Sequence, residues 1–347
     1  MLVDSASEQR ADTAPAPPTR RAVRALGLLV SAVILLLVAL ASIAIGAKEL
    51  PLDQVWHGLF HDTGTYGDVV VDARLSRTVL GLLAGAALGL SGAVLQALTR
   101  NPLADPGLLG INAGASAAVV TAITYFGVST LSGYVWFAFL GAAAVGALVW
   151  FLGGSRGATP VRLALAGTAV SAALYGYLQA VMITDDAALN KLRFWTVGSL
   201  ASADNSTILQ VLPFLAAGTL LALGLARPLN AVAMGDDTAR ALGADLARTR
   251  ALAMLAATVL CGAATAACGP IAFVGLMVPH AVRAFTGPDL RWILPYATVL
   301  SPVLLLGADV VGRIVARPAE LQVGIVTAII GGPVFVLLVR RRRTAQL

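Results

Sequence analysis

Residues 74–107 read RLSRTVLGLLAGAALGLSGAVLQALTRNPLADPG, and the fold class follows from how this stretch is built. No charged residue stands between Arg77 and Arg100. A helix needs about 20 apolar residues to cross the hydrocarbon core of a bilayer, and the gap supplies them. The apolar positions do not alternate with period two, so the run is a helix and not a barrel strand. Gly81, Gly85 and Gly89 recur every fourth residue and draw one stripe along that helix. Small residues let helix backbones approach closely in lipid, so the stripe predicts packing inside a multi-helix bundle.

The rest of the chain extends this pattern. Of 347 residues, 58% are hydrophobic and only 12% charged, and mean hydropathy is +0.84. A soluble domain would carry about 25% charged residues. Lipid forces backbone groups to bond internally, which leaves spanning helices as the solution. Ten spans fit: 25–46, 74–97, 108–126, 133–153, 162–183, 207–226, 251–268, 271–285, 294–314 and 322–339. The eighth is the shortest. The expected class is an all-α polytopic membrane protein. Residues 1–20, rich in Ala, Pro, Ser and Thr, are expected to be a disordered cytoplasmic tail, and 21–347 the transmembrane domain. The apolar run after Arg20, Arg21 and Arg24 exceeds the core of a signal peptide, so it reads as a retained first span.

Cationic residues orient the spans. With the N-terminus inside, seventeen of the 24 Lys and Arg fall on inner segments and seven on outer ones. Both termini are then cytoplasmic. The Arg340–Arg343 run serves as a topology anchor, and the net charge of +6 needs no nucleic acid to explain it. Spans 2–5 and 7–10 start on opposite sides of the membrane, an arrangement that permits an inverted repeat.

Chemistry-bearing residues are few. The cysteines, Cys261 and Cys268, lie seven apart on one apolar helix face and read as small core residues. His57 and His61 read as a surface pair, and His280 as structural. The lysines follow Ala47 and Asn190, so no phosphate-binding GxxxxGK[ST] loop exists here. Asp309 and Arg313 stand i, i+4 near the outer end of span 9 and predict an ion pair. In the loop after span 2, Pro102 and Pro106 break the helix. It is either a tight connector or a rigid plug at a pore mouth. The inner stretch 227–250 predicts a short helix over Thr238–Leu242, capped by Asp236 or Asp237 and ended by Gly243, then a second turn over Asp245–Arg250. It is either a solvated loop or a surface for a soluble partner.

These motifs resemble the FecCD/BtuC-type permease family of ABC importers for iron–siderophores, haem and vitamin B12. The matching stretches are 74–115, GDDTARALGADLARTR (235–250), GPIAFVGLMVPHAVR (269–283), GADVVGR (307–313) and ELQVGIVTAIIGGPVFVLLVRR (320–341). The first is closest to permeases for catecholate siderophores. The resemblance implies the ten-helix BtuC-like fold of type II ABC importers, with spans 5 and 10 along the path. It implies an ABC ATPase dimer, a second permease subunit, homologous or identical, and a substrate-binding protein as partners. It places docking of the binding protein at Arg74, Arg77 and Arg313, and an inner gate at Asn101, Pro102 and Leu103. A second gate falls at Pro160 and Val161, where the small hydroxyl residues of the vitamin B12 branch are missing. ATPase coupling falls at Asp237, Ala241, Leu242, Gly243 and Asp245.

The expected function is ferric-siderophore uptake across the cytoplasmic membrane. No cofactor is expected on this chain, because ATP and Mg belong to the partner. The rival expectation is an ion-coupled secondary carrier, which would need Asp309. The outer arginines invite two readings, lipid headgroup contact or an acidic patch on a partner.

Overall fold

The computed structural model describes residues 20–60, 64–128, 130–154, 160–185, 189, 192–193, 195–201 and 203–344. The expected tail therefore lies, up to residue 19, outside the described residues, as does His61. Every described regular element is helical. The helices are α1 (Arg20–Ala44), α2 (Leu52–Phe60), α3 (Tyr66–Thr99), α4 (Ile111–Phe126), α5 (Leu131–Gly154), α6 (Pro160–Thr184), α7 (Asn205–Gly224), α8 (Ala226–Ala233), α9 (Asp236–Ala241), α10 (Leu246–Cys268), α11 (Val274–Thr286), α12 (Leu290–Val315) and α13 (Val323–Thr344). A 3-10 turn, Pro106–Leu109, precedes α4.

Each of the ten expected spans has a helix over it. Among the described residues, seven helices are long and apolar enough to cross a membrane, namely α1, α3, α5, α6, α7, α10 and α12, and two shorter apolar helices lie at Ile111–Phe126 and Val323–Leu337. The eighth span is shorter than the sequence predicts. It begins at Val274, not 271, and runs 13 residues, about 20 Å at 1.5 Å per residue. Residues 269–273 form no regular element, with positive φ at Gly269 and at Phe273, where the chain bends.

The quoted stretch forms the axis of the bundle. α3 is 34 residues long, about 50 Å. Its N-terminus is fixed by a capping box, in which Thr65 N–H donates to Asp68 Oδ2 at 2.9 Å and Asp68 N–H donates to Thr65 Oγ1. The most apolar window of α3 is 78% buried and that of α10 is 72% buried, so these two helices carry the core. The glycine stripe packs as expected. A Cβ on Gly85 would stand 2.6 Å from Pro302 Cα of α12, and one on Gly81 or Gly89 would strike Leu306 or Ser301 of the same helix. Proline at 302 offers a flat face without an N–H, and glycine accepts it. Both cysteines are buried in the core beside it, as expected of small apolar residues.

Candidate functional site

Two charged clusters stand at opposite ends of the bundle, and they are called outer and inner after the orientation that the distribution of cationic residues leads one to expect. The outer one holds the three arginines that the resemblance assigns to docking of the binding protein. Arg74, Arg77 and Arg313 are buried, Arg313 at 1% exposure, and most of their donors are used within the chain, although the buried Arg313 Nε has no hydrogen-bond partner among the described residues. Arg74 donates to Ile43 O, Ala44 O and Lys48 O. Arg313 donates to Ser42 O and Ile45 O, each at 2.9 Å, and to Ser42 Oγ. Among these acceptors, the Ser42, Ile43 and Ala44 carbonyls are ones that the C-terminus of α1 leaves without helical partners, and Ile45 and Lys48 follow it in the chain. Two guanidiniums thus cap α1 from α3 and α12. The missing signal was distance along the chain: Arg313 lies 271 residues from Ser42.

Arg77 completes the outer cluster. It binds Asp309 through two donors, Nε at 2.9 Å and NH2 at 2.7 Å, and Glu320 at 2.6 Å. The expected Asp309–Arg313 pair forms at 2.9 Å. Asp309 is fully buried between two arginines, an arrangement in which each charge compensates its neighbours. A carboxylate so engaged is a structural anchor, which does not favour the ion-coupled reading. Above the cluster lies a cavity of about 340 Å³ lined by Lys48, Tyr66, Arg74, Arg77, Arg313 and Glu320, among others.

The inner cluster is built on the 227–250 stretch. Here the structure adds a helix, α8, that the sequence reading had assigned to the loop. Val232 of α8, Ala239 of α9 and Leu246 of α10 form a small core of their own. Asn230 of α8 donates to Asp289 and accepts from Leu290 N–H, which ties the segment to the start of α12. The hydrogen bond from the Arg291 side chain outweighs partial burial and holds the Asp289 carboxyl down at about 2. α9 ends where expected: Gly243 takes φ +77 and its N–H donates to Arg240 O. The expected separate turn over Asp245–Arg250 is instead the beginning of α10, with Asp245 accepting from Arg248 N–H as the cap.

Asp236 does not cap α9, whose N-cap is Gly235. Its carboxylate instead accepts from Arg250 at 2.8 and 2.9 Å and from Arg100 at the end of α3. Partial burial opposes the charged form, but Arg250 and Arg100 outweigh it and hold Asp236 below the ordinary carboxylate range. Asp237 points outward and pairs only with Arg240 at 3.0 Å. Ala241, Leu242, Gly243 and Asp245 are exposed, with Met234 beside them, so the expected coupling residues form one apolar-centred patch at the inner end.

The loop between α3 and the 3-10 turn is anchored by side chains. Asn101 Oδ1 accepts from Leu103 N–H at 3.0 Å, and Pro102 is buried. Asp105 Oδ1 accepts from Gly107 N–H at 2.8 Å, and burial pushes the Asp105 carboxyl up despite that bond. Asn101 and Asp105 share a cavity of about 390 Å³ with Thr99, Val161, Leu165 and Thr168. The structure thus brings Asn101 and Val161, one from each expected gate, to the same space. Pro160 is the first residue of α6, and its side chain lies outside the described residues.

Residues 34–341, from the middle of α1 to the last turns of α13, match the model of the FecCD transport family. The chain belongs to the FecCD transport family. FecCD proteins are transporters, so the chain is a membrane permease and not an enzyme. The ferric enterobactin transport system permease protein FepD of Escherichia coli is 49% identical over 328 residues, 93% of this chain and 96% of that one. The hemin transport system permease protein HmuU of Yersinia pestis is 37% identical over 90% of this chain and 94% of its own length. Among solved structures, an inward-facing transporter described as of metal-chelate ABC type superposes with a TM-score of 0.80 at 28% identity. The match covers 91% of this FecCD chain and 99% of the other.

Proposed function

We propose that this chain is one of two permease subunits of an ABC importer that brings a ferric catecholate siderophore across the cytoplasmic membrane. The observation that carries the reading is the inner patch of Met234, Ala241, Leu242 and Gly243. It is exposed and apolar, and it is held by its own small core, which suits a soluble motor better than solvent. The partner ATPase dimer docks there and holds ATP and Mg in its own sites, so this chain needs no cofactor. The substrate class rests on the similarity to the ferric enterobactin permease.

Both termini face the cytoplasm in this reading, in line with the excess of arginine on inner segments. Asn101–Leu103 and the Pro160–Val161 start of α6 act as the inner gate around the 390 Å³ cavity. α6 and α13 border the path with a second, homologous or identical permease. Binding-protein docking through Arg74, Arg77 and Arg313 then requires acidic side chains that enter the outer cavity, because the guanidiniums are not on the rim.

The test is uptake of ferric enterobactin by proteoliposomes holding the chain, its ATPase and its binding protein. Uptake should require ATP and all three components. Uptake by the purified chain under a proton or sodium gradient alone would overturn the reading in favour of a secondary carrier.

A further inference from the structure

Arg100 is the residue that ends α3, and it does so in the left-handed region, at φ +50. Glycine or asparagine usually takes this position, because a Cβ disfavours it. An arginine there carries a side chain that glycine lacks, and that side chain reaches Asp236, 136 residues away. Asp236 opens α9, the helix that carries the exposed inner patch. Its other oxygen bonds reach Arg250 in the first turns of α10. One carboxylate therefore joins three elements: the end of α3, the short patch-bearing helix and the base of a core helix. The residue directly after Arg100 is Asn101, which lines the inner cavity.

We infer that Asp236 is a positioning residue that links the motor-facing helix to the gate loop through Arg100. The inference rests on the proposed reading of the chain as an ATPase-driven permease. Arg250 ties α9 to the rigid bundle, and Arg100 passes any tilt of α9 to Asn101–Leu103. The bond is suited to that task because it is charge-assisted and multiply coordinated, which makes it directional as well as strong. Its neighbour Asp237 has no such reach, since its bond stays within α9. The two adjacent aspartates thus do different work. Asp236 holds the gate loop, and Asp237 faces outward with the patch. Losing the link leaves the motor docked and turning over while the gate no longer follows it.

The experiment uses the complete importer in proteoliposomes with radioiron-labelled ferric enterobactin, and measures uptake and phosphate release in the same vesicles. Arg100→Gln and Asp236→Asn should keep hydrolysis within about twofold of wild type, while uptake per ATP falls about tenfold, a common size for a coupling between sites. Asp236→Glu should recover most of the coupling. A second readout follows the gate itself. In an Asn101→Cys background the introduced thiol is the accessible one, because Cys261 and Cys268 are buried. Its labelling by a membrane-impermeant maleimide should change on adding ATP, and Arg100→Gln should abolish that change. If Asp236→Asn does not assemble with the ATPase, Arg100→Gln decides by the same two readouts. Unchanged coupling together with ATP-dependent labelling in Arg100→Gln overturns the link. Wild-type uptake without the ATPase overturns instead the reading beneath it.

Discussion

α1 and α6 are both thinly packed: 11% of the apolar window of α1 is buried within the chain, and 17% of that of α6. Their exposed faces differ. α1 presents Leu26, Leu29, Val33, Leu36, Leu37 and Leu40. α6 has Val161, Leu165 and Ile183 near its ends and Tyr175 and Tyr177 nearer its middle, but among them it also presents Thr168, Ala172, Ala173, Gly176, Gln179 and Ala180. Mean hydropathy is 2.9 for the α1 window and 1.3 for that of α6. Large aliphatic side chains are solvated by lipid tails at no cost, whereas small and polar ones leave helix backbone and amide groups that suit protein or water. Exposure in a single chain therefore has two meanings. On the proposed reading of a paired permease, α1 is finished as it stands and α6 awaits a neighbour.

The way each helix is attached follows from that difference. Lipid gives α1 no preference for one neighbour, so its outer end is fixed by Arg74 and Arg313. The largest expected effect in the comparison is accordingly Arg313→Ala. It strands the Ser42 and Ile45 carbonyls and unbalances Asp309, and breaking a buried charge pair on one side costs about 3–5 kcal/mol. Thermal unfolding in detergent, with limited proteolysis in the 45–51 linker, should show α1 released first. A variant with wild-type melting and an intact linker would remove the arginine anchor from the account of α1.

A smaller effect should appear on α6. A Cβ at Gly176 meets nothing within the chain, and leucine is the better helix former by about 0.5–1 kcal/mol. Gly176→Leu should leave the isolated chain as stable as wild type or more so. Uptake by the assembled importer should nonetheless fall about tenfold, equivalent to about 1.4 kcal/mol. Normal uptake would mean that α6, like α1, faces lipid. The smallest effect should come from Leu36→Ala on α1, where stability and uptake both stay within about 0.5 kcal/mol of wild type. A large loss there, read by the same melting and uptake assays, would place a protein partner on α1 and erase the contrast.

How far the sequence could be read depends on the range of each interaction. The spans, the glycine stop of α9 and the glycine stripe are local, and they were legible. Gly243 ends α9, Asp309 meets Arg313 four residues on, and Gly81, Gly85 and Gly89 mark the seam that α12 fills. The arginine roles were not legible. A charge count records that Arg74 and Arg77 open a span on the side poor in cations, yet the acceptors of Arg74 are carbonyls of another helix 30 and 31 residues upstream. Asp236 misled for a similar reason. An aspartate at a helix start is ordinarily a cap, and its actual partners lie 14 and 136 residues away. The eighth span was overestimated because Pro270–Phe273 is apolar enough to count toward a helix that does not form there. Hydropathy records solvent preference, and it says nothing about whether the chain turns.

The arginine caps on α1 also bear on the order in which the chain can become native. α1 enters the membrane ahead of every other described span, but one of its two caps sits in α3 and the other in the last turns of α12. During synthesis its outer carbonyls must stay hydrated, with Arg74 alone to hold them, until nearly the whole bundle has been threaded. The final fastening of the earliest described helix is thus a late event of assembly. A nascent chain halted before Arg313 would carry a loose first span that quality-control proteases can recognise.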